Sequence, residues 1–416
     1  MSDTKEKQES LNVLITGSSL SSNKGAMAMT LVLAEELRSM DPDCRLWLAS
    51  KYPKQDTAIA AREKIELVGA PPSRVVTTTL LRSLLAVLIR PISNRWLFDG
   101  IMRSYGRADV VVDLGGVTFS DDRDWRGLLL SIGWIVPAIA SGTPILKLSQ
   151  AFGPFQKRRN RIAARLLLKK CGLLIARGQD SALKVKQLLG VGQECHVCAD
   201  VAFLLESASD NWVDGFLSSH GLPQRSFVGI SPSVVVDRKA VADRYRIAMA
   251  ELVESAVRTT GCPVVLVPHA WASSGHGGGD MDLCCDIYKR LNKSDNVFVI
   301  KDELDAAMLK GIISRSYVYV ACRFHAMIAA LGSSVPTMVV GWGHKYNEIM
   351  ELFGIQEFAC DFSVAKGDRL TKLFDGMWQN REQLRGQISR SLKDVKKSSQ
   401  ENFELLRAFL KKNGLL

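Results

Sequence analysis

Short apolar runs that predict buried strands alternate with segments of helical length along most of this 416-residue chain. The run at 12–16 is followed by a predicted helix at 26–40 and by a second run at 45–49. The alternation stops in a polar stretch and begins again at 227–231. Strands that are separated by helices pair in parallel, with the helices packed on the sheet. The pattern therefore predicts an α/β fold with parallel sheets.

The chain is long enough for two domains, because single hydrophobic cores rarely grow beyond about 250–300 residues. We predict an N-terminal Rossmann-like domain at 1–205 and a C-terminal one at 226–395, facing each other across a cleft. The stretch 206–225, which contains Ser, Asp, Gly and Pro, is interpreted as the linker. Residues 396–416 are predicted to form a basic amphipathic helix.

Cationic and titratable side chains follow two consecutive predicted strands of the second half. Arg323 and His325 come directly after the apolar run 317–320, and Lys345 follows the run 335–340. In open α/β sheets, ligands bind beyond the carboxyl ends of the strands. An Arg and a His at this place indicate an anionic ligand and a proton transfer.

His269 ends another predicted strand of the same half, which places it at the same sheet edge. A single His is more often structural than catalytic, but its neighbourhood with Arg323 and His325 favours a functional role. A metal site formed by His269, His276 and Asp280 is the alternative, although their spacing matches no metal signature.

The first half also carries polar residues and glycines after its predicted strands. Asn23 and Gly25 lie in the loop after the first strand, which is neither a G-x-G-x-x-G nor a P-loop motif. Such a loop binds an anion at a helix N-terminus or is an ordinary helix cap. Gly115 and Gly116 end a later strand, where they let a ligand approach the backbone.

Three further side chains of this half are candidates for ligand contact. Asp121, next to Asp122, would act as a base or orient a hydroxyl, unless the pair belongs to a solvated loop. Gln150 is predicted to face the ligand at the end of a strand. Arg177 follows the next strand, where an Arg holds an anion or bonds a neighbouring carbonyl.

The net charge of +11 allows an anionic partner. Arg158, Arg161, Arg165 and Lys169 recur at helical spacing, which indicates either a solvated face or a surface that binds an anionic membrane or a diphosphate. The segment 80–107, with five Arg among apolar residues, is a second membrane candidate. Basic grooves interleaved with aromatic residues are absent from the sequence, so nucleic acid is not an expected partner.

The motifs of the chain, taken together, resemble those of the polysaccharide pyruvyl transferase family. The matching pieces occur in the family's order over residues 11 to about 355. They are Asn23-Lys-Gly25, Asp113-Leu-Gly-Gly116, Ser149-Gln-Ala-Phe-Gly-Pro154, Ala176-Arg177 with Asp180-Ser181, Asp200-Val-Ala202, Pro268-His269, Arg323-Phe-His325 and Lys345. Ala26 stands where the family often has Asp, so any role of that carboxylate is missing here.

The resemblance implies a GT-B-like pair of Rossmann domains, with the donor site in the second, and with the acceptor side and part of the donor site in the first. It also implies transfer of pyruvate from phosphoenolpyruvate to two hydroxyls of a sugar, which forms a ketal. Arg323 and Arg177 would hold the phosphate and carboxylate, and His325 would be the general acid. Lys345 and His269 would support the anion. Neither a metal nor an organic cofactor is required.

Two other functions fit the same scaffold. One is a glycosyltransferase that uses a nucleotide-sugar, and the other is a non-catalytic, membrane-associated protein of glycan assembly.

The polar start of the chain and its cysteines, which are scattered and odd in number, indicate a cytoplasmic protein. Since the family's acceptors are often lipid-linked, we expect the protein to touch the anionic inner leaflet through the helix 158–170, the segment 80–107, or both.

Overall fold

The computed structural model describes residues 10–88, 100–121, 123–190, 192–222, 227–241, 243–271, 278–292, 295–341, 344–364 and 367–416, and within these the side chains of 87, 88, 344, 345 and 364 are not described. Contacts between Cα atoms divide the chain into two compact units. The first unit comprises Met1–Leu20, Thr30–Cys198 and Glu401–Leu416, and the second comprises Ser21–Met29 and Ala199–Gln400.

The first unit is built on a parallel sheet of eight strands in the order β3-β2-β1-β4-β6-β7-β8, with β5 paired to the end of β6. The strands are β1 (Asn12–Thr16), β2 (Arg45–Ser50), β3 (Glu66–Gly69), β4 (Val110–Asp113), β5 (Val117–Thr118), β6 (Ile145–Phe152), β7 (Leu173–Ala176) and β8 (His196–Val197). The order reverses between β1 and β4, which is where such sheets bind ligands.

Helices connect these strands. They are α1 (Lys24–Met40), α2 (Pro53–Arg62), α3 (Pro72–Arg74), α4 (Leu80–Leu88), α5 (Ile101–Arg107), α6 (Trp125–Ser141), α7 (Arg158–Leu168) and α8 (Gln179–Leu189), with a π-helical turn at Val75–Thr79. Leu14, Val111 and Leu174 are fully buried in the core of this unit. The strands read as continuous apolar runs because helices cover a parallel sheet on both faces.

The second unit repeats the same topology with six parallel strands in the order β11-β10-β9-β12-β13-β14. The strands are β9 (Phe227–Ser231), β10 (Val264–Leu266), β11 (Val297–Val299), β12 (Ser316–Ala321), β13 (Thr337–Gly341) and β14 (Ala359–Asp361). The helices are α9 (Asp210–Ser219), α10 (Val234–Asp237), α11 (Arg244–Thr260), α12 (Asp280–Lys289), α13 (Ala306–Ser314), α14 (Phe324–Leu331), α15 (His344–Leu352), α16 (Gly367–Gln379) and α17 (Arg381–Lys412), with 3₁₀ turns at Val201–Leu204, Gln356–Phe358 and Phe362–Val364.

The prediction of an α/β fold with two Rossmann-like parallel sheets is confirmed. The units differ from the expected ranges in detail. The stretch interpreted as a linker contains α9, which starts where the Ser209 hydroxyl accepts a hydrogen bond from the Trp212 N–H. The expected helix at 396–416 is the second half of the longer α17.

The uncharged, apolar segment 128–146 is divided between a helix and a strand. Helix α6 ends at Gly142, which has a left-handed backbone conformation, and β6 begins at Ile145. Among the residues that the structure describes, no helix is both long enough and apolar enough to span a bilayer.

Candidate active site

Arg323 and His325 lie at the reversal point of the second sheet. Strand β12 pairs with β9, the first strand of the unit, and the chain turns directly from β12 into α14. Arg323 is the N-cap residue of α14, and His325 lies in its first turn. The turn therefore holds both side chains at the edge where open α/β sheets bind ligands.

Asp280 holds the guanidinium of Arg323 in one orientation. Arg323 Nε donates to Asp280 Oδ2 at 2.8 Å, and Arg323 Nη2 donates to Oδ1 at 2.5 Å. The carboxylate is fully buried and also accepts the Val234 N–H at 2.9 Å. Burial lowers the pKa of Arg323, but the charge and hydrogen bonds of Asp280 outweigh this and raise it. Nη1 makes no hydrogen bond to the described residues and is left to donate to a ligand.

His325 is packed against the start of α1, whose first turn belongs to the second unit. A Cβ on Gly25 would lie 2.0 Å from His325 Nδ1, so only a glycine fits at this position. Asn23 caps the helix, since its Oδ1 accepts the N–H of Gly25 at 3.0 Å and that of Ala26 at 3.4 Å. Asn23 and Gly25 thus position His325 from the helix side.

A buried carboxylate faces the other ring nitrogen of His325. Asp200 Oδ2 lies 3.8 Å from His325 Nε2, which is within ion-pair distance but too long for a hydrogen bond. Asp200 is fixed as the cap of a 3₁₀ turn by the Ala202 N–H, and Ser399 donates to its carbonyl at 2.8 Å. Its negative charge stabilises a protonated imidazole.

His269 is a neutral imidazole in this environment. Burial, followed by the charges of His325, Arg323 and Lys24, lowers its pKa to about 3. The Nε2 atom is buried and has no hydrogen-bond partner among the described residues. His269 is thus an uncharged group with one ring nitrogen available to a ligand.

Lys24 is a cation that the sequence analysis did not assign to the site. Its side chain is almost fully buried, its Nζ lies 3.0 Å from Glu303 Oε1, and it stands 5.6 Å from the ring centroid of Trp271. Its positive charge contributes to the lowered pKa of His269, and Trp271 lies two residues after this histidine in the chain. The second unit thus gathers Lys24, His269, Arg323 and His325.

The predicted residues of the first unit lie at the carboxyl edge of its own sheet. Asp113 Oδ2 forms a buried ion pair with Lys147 Nζ at 2.6 Å, and Asp113 Oδ1 accepts a hydrogen bond from the Gly115 N–H at 2.7 Å. A Cβ on Gly115 would lie 2.9 Å from Asp113 Oδ1, and one on Gly116 would lie 3.8 Å from Nη1 of the buried Arg177. Gly115 therefore leaves room for the Asp113 carboxylate, whereas a side chain at position 116 would make only an ordinary van der Waals contact with Arg177.

Gln150 and Asp121 make bonds inside the protein. The amide of Gln150 donates to the Asp113 carbonyl at 2.6 Å and accepts the Thr118 hydroxyl, so it does not face a ligand as expected. Asp121 accepts the Gln156 N–H at 2.6 Å and the Asn160 amide at 2.7 Å. It therefore anchors the loop before α7.

Other candidates lie partly outside the described residues. Lys345 belongs to α15, but its side chain is not described, and Asp122 and His276 are not described. Among the described residues, no group of three His, Cys, Asp or Glu side chains could hold a metal ion. Both oxygens of Asp280 are bound to Arg323 instead.

Solved structures show where this architecture occurs. The S. aureus MnaA–UDP structure matches at a TM-score of 0.64 and 11% identity, covering 98% of both chains. UDP-GlcNAc 2-epimerase from Neisseria meningitidis, bound to UDP-GlcNAc, matches at a TM-score of 0.60 and 10% identity, covering 95% of this chain and 99% of that one. Anabaena Alr3699/HepE, in complex with UDP and glucose, matches at a TM-score of 0.58 and 12% identity, covering 97% of this chain and 100% of that one. These likenesses show a GT-B-like fold.

The sequence itself carries a more specific likeness. The family model of polysaccharide pyruvyl transferase matches residues 23–344, which begins at Asn23 and includes Asp200, His269, Arg323 and His325. The match covers most of the chain and every described residue of the cluster in the second unit. The chain therefore belongs to the polysaccharide pyruvyl transferase family.

Proposed function

We propose that the protein transfers pyruvate from phosphoenolpyruvate to two hydroxyls of one sugar, releasing phosphate and forming a pyruvate ketal. The observation that supports this most directly is the oriented Arg323 beside two histidines in different environments. Family membership supports pyruvyl transfer in general. The choice of phosphoenolpyruvate as donor and of a lipid-linked glycan as acceptor is our proposal.

Phosphoenolpyruvate carries a phosphate and a carboxylate, and both need charged donors. Arg323 would present Nη1 to one anionic group while Asp280 holds Nε and Nη2. Lys24 would supply a second positive charge, since its ammonium lies 5.6 Å from the ring centroid of Trp271, two residues after His269 in the chain. The assignments of Arg177 and Lys345 to the same anion remain predictions.

The enol carbon C3 must gain a proton before C2 can be attacked. His325, stabilised as an imidazolium by Asp200, would donate that proton and leave C2 as an oxocarbenium-like electrophile. The first sugar hydroxyl then bonds to C2 and loses its proton. His325, which became neutral when it protonated C3, would take this proton back, whereas His269, which is too weak a base with a pKa of about 3, would contact the substrate through its buried Nε2.

Ketal formation needs a second displacement at the same carbon. The C2–O bond to phosphate breaks, and phosphate leaves with the electron pair and one proton. The second hydroxyl then bonds to C2 and loses its proton, which closes the ring. The carbon gains one proton at C3, two hydroxyls lose one each, and phosphate carries one away, so protons and charge balance.

The test is phosphate release from phosphoenolpyruvate in the presence of candidate sugar acceptors, with ketal detection by mass spectrometry. Replacing Arg323 by Ala should lower turnover about 100-fold or more. Arg258 lies in the last turn of α11, just before β10 starts and so at the opposite end of the sheet, and as the matched control Arg258→Ala should keep full turnover. Full activity of Arg323→Ala would contradict the proposal.

A glycosyltransferase that uses a nucleotide-sugar is the second candidate, because solved structures of the same fold were obtained with UDP or UDP-sugars. Thermal shift separates the two. Phosphoenolpyruvate should raise the melting temperature by mass action. Stabilisation by a nucleotide-sugar alone, with transfer of its sugar, would favour the second candidate instead.

A further inference from the structure

Helix α7 carries a continuous basic and apolar stripe on its exposed side. We call it the α7 face: Arg158, Arg161, Ile162, Arg165, Leu166 and Lys169. Arg158, Arg161 and Arg165 form one row at intervals of three and four residues, and Ile162, Leu166 and Lys169 form the adjacent row. The six side chains therefore share one side of the helix. Asn160, Ala164 and Leu168 are buried on the opposite side.

Within the part of the chain that the structure describes, no carboxylate pairs with these cations. Helix α7 contains no acidic residue, and among the described residues no cation of the α7 face forms an ion pair. Other arginines of the chain behave differently: Arg290 pairs with Asp243, and Arg315 pairs with Asp210 and Asp214. The α7 face is therefore a concentrated, uncompensated positive surface.

Two large apolar side chains stand in the middle of this charge. Ile162 is 49% exposed and Leu166 is 65% exposed, each next to an Arg. A surface that only bound soluble polyanions would gain nothing from them. At the interface of a bilayer, in contrast, apolar side chains enter the acyl boundary while cations stay with the headgroups.

Helix α4 also exposes apolar side chains. Leu81, Leu84 and Leu85 are exposed by 60%, 47% and 36%, whereas Leu80 and Ala86 are buried. Both α4 and α7 pack on α6.

We propose that the α7 face binds the surface of an anionic bilayer, with its cations at the headgroups and Ile162 and Leu166 inserted to a shallow depth. We choose a lipid bilayer as the occupant because it complements both the charge and the exposed apolar side chains of the α7 face. The proposal does not depend on the reaction proposed above.

The experiment is co-sedimentation of the full chain with phosphatidylglycerol-containing and with pure phosphatidylcholine vesicles, at low and high salt. Each cation near an anionic surface strengthens binding about five-fold. The triple variant Arg161→Gln, Arg165→Gln and Lys169→Gln should therefore bind anionic vesicles about 100-fold more weakly. The matched control, with the exposed Lys372, Lys393 and Lys397 of α16 and α17 changed to Gln, has the same net charge and should bind nearly as the wild type.

A second variant tests the apolar contribution. Ile162→Ser with Leu166→Ser keeps every charge and should fold normally because both side chains are exposed. It should lose about 10-fold in vesicle affinity. Equal losses in the two triple variants, an unchanged affinity of the Ser variant, or equal binding to neutral vesicles would each overturn the proposal.

Discussion

Replacing Gly25 by Ala tests whether the first turn of α1 sets the position of His325. The added Cβ would lie 2.0 Å from Nδ1 and 2.1 Å from Cγ of the imidazole, whereas ordinary contacts begin at 3.4 Å. The ring or the helix turn must therefore move by more than 1 Å. The position leaves no gap for the methyl group, because the clash involves a nearly rigid ring.

The size of the effect follows from the overpacking. Forcing a methyl group into a well-packed site costs about 1–3 kcal/mol, which the higher helix propensity of Ala offsets by up to about 1 kcal/mol. The melting temperature should fall by a few degrees, at about 2–4 °C per kcal/mol for a unit of this size. A displacement of about 1 Å at a catalytic group lowers turnover about 100-fold.

The matched control is Gly215→Ala in α9, where a Cβ would meet no atom within 4 Å. This change should stabilise the protein by about 0.5–1 kcal/mol and leave turnover unchanged. Calorimetry and phosphate release would be measured on both variants.

A double-mutant cycle isolates the contact from other effects. In a His325→Ala background the ring is absent, so Gly25→Ala should cost little or nothing in stability. If Gly25→Ala destabilises the protein equally with and without the ring, or retains full turnover in the wild-type background, the reasoning is refuted. The stability part of this cycle holds whatever reaction the protein catalyses.

Three further changes test the same cluster. Asp280→Asn should leave Arg323 without its charged partner and destabilise the protein by about 3 kcal/mol, measured by urea unfolding against an unaffected Asp243→Asn control. Lys24→Met should raise the KM for phosphoenolpyruvate about 10-fold, and an unchanged KM would remove Lys24 from the site. Because the pKa of His269 is lowered from 6.5 to about 3, the unfolded chain binds more protons between these values, so stability should fall as the pH drops below 6.5. His269→Gln should abolish that part of the pH dependence, and an identical curve would show that another group titrates.

The sequence was sufficient for the sheet edges but not for every element. The limits of β1 and β9 were predicted to the residue because each is a short, mostly apolar run. Helix α9 was missed because the Ser, Asp, Gly and Pro of this stretch favoured a linker, although Trp212, Val213, Phe216 and Leu217 recur at helical spacing.

The same distinction applies to the candidate site. Arg323, His325 and His269 were found because strand ends are visible in the sequence. Asp280 was considered only as a metal ligand, because its pairing with Arg323 joins positions 43 residues apart. Lys24 and Asp200 stood inside the motifs that carried the family resemblance, and those motifs were the available signal for them.

Each cation of this cluster is paired with a carboxylate, which leaves two possible roles for Asp280: to reduce the positive charge of the site, or to orient Arg323. Arg323 faces Asp280, Lys24 faces Glu303, and His325 faces Asp200, so the described groups carry little net charge. A trianionic donor would then be selected by the orientation of preformed donors more than by overall attraction. If Asp280 merely reduced the positive charge, Asp280→Asn would bind phosphoenolpyruvate more tightly and turn over normally. Because we assign it to orienting Arg323, turnover should fall while KM stays the same or decreases, and a normal turnover with tighter binding would contradict that role.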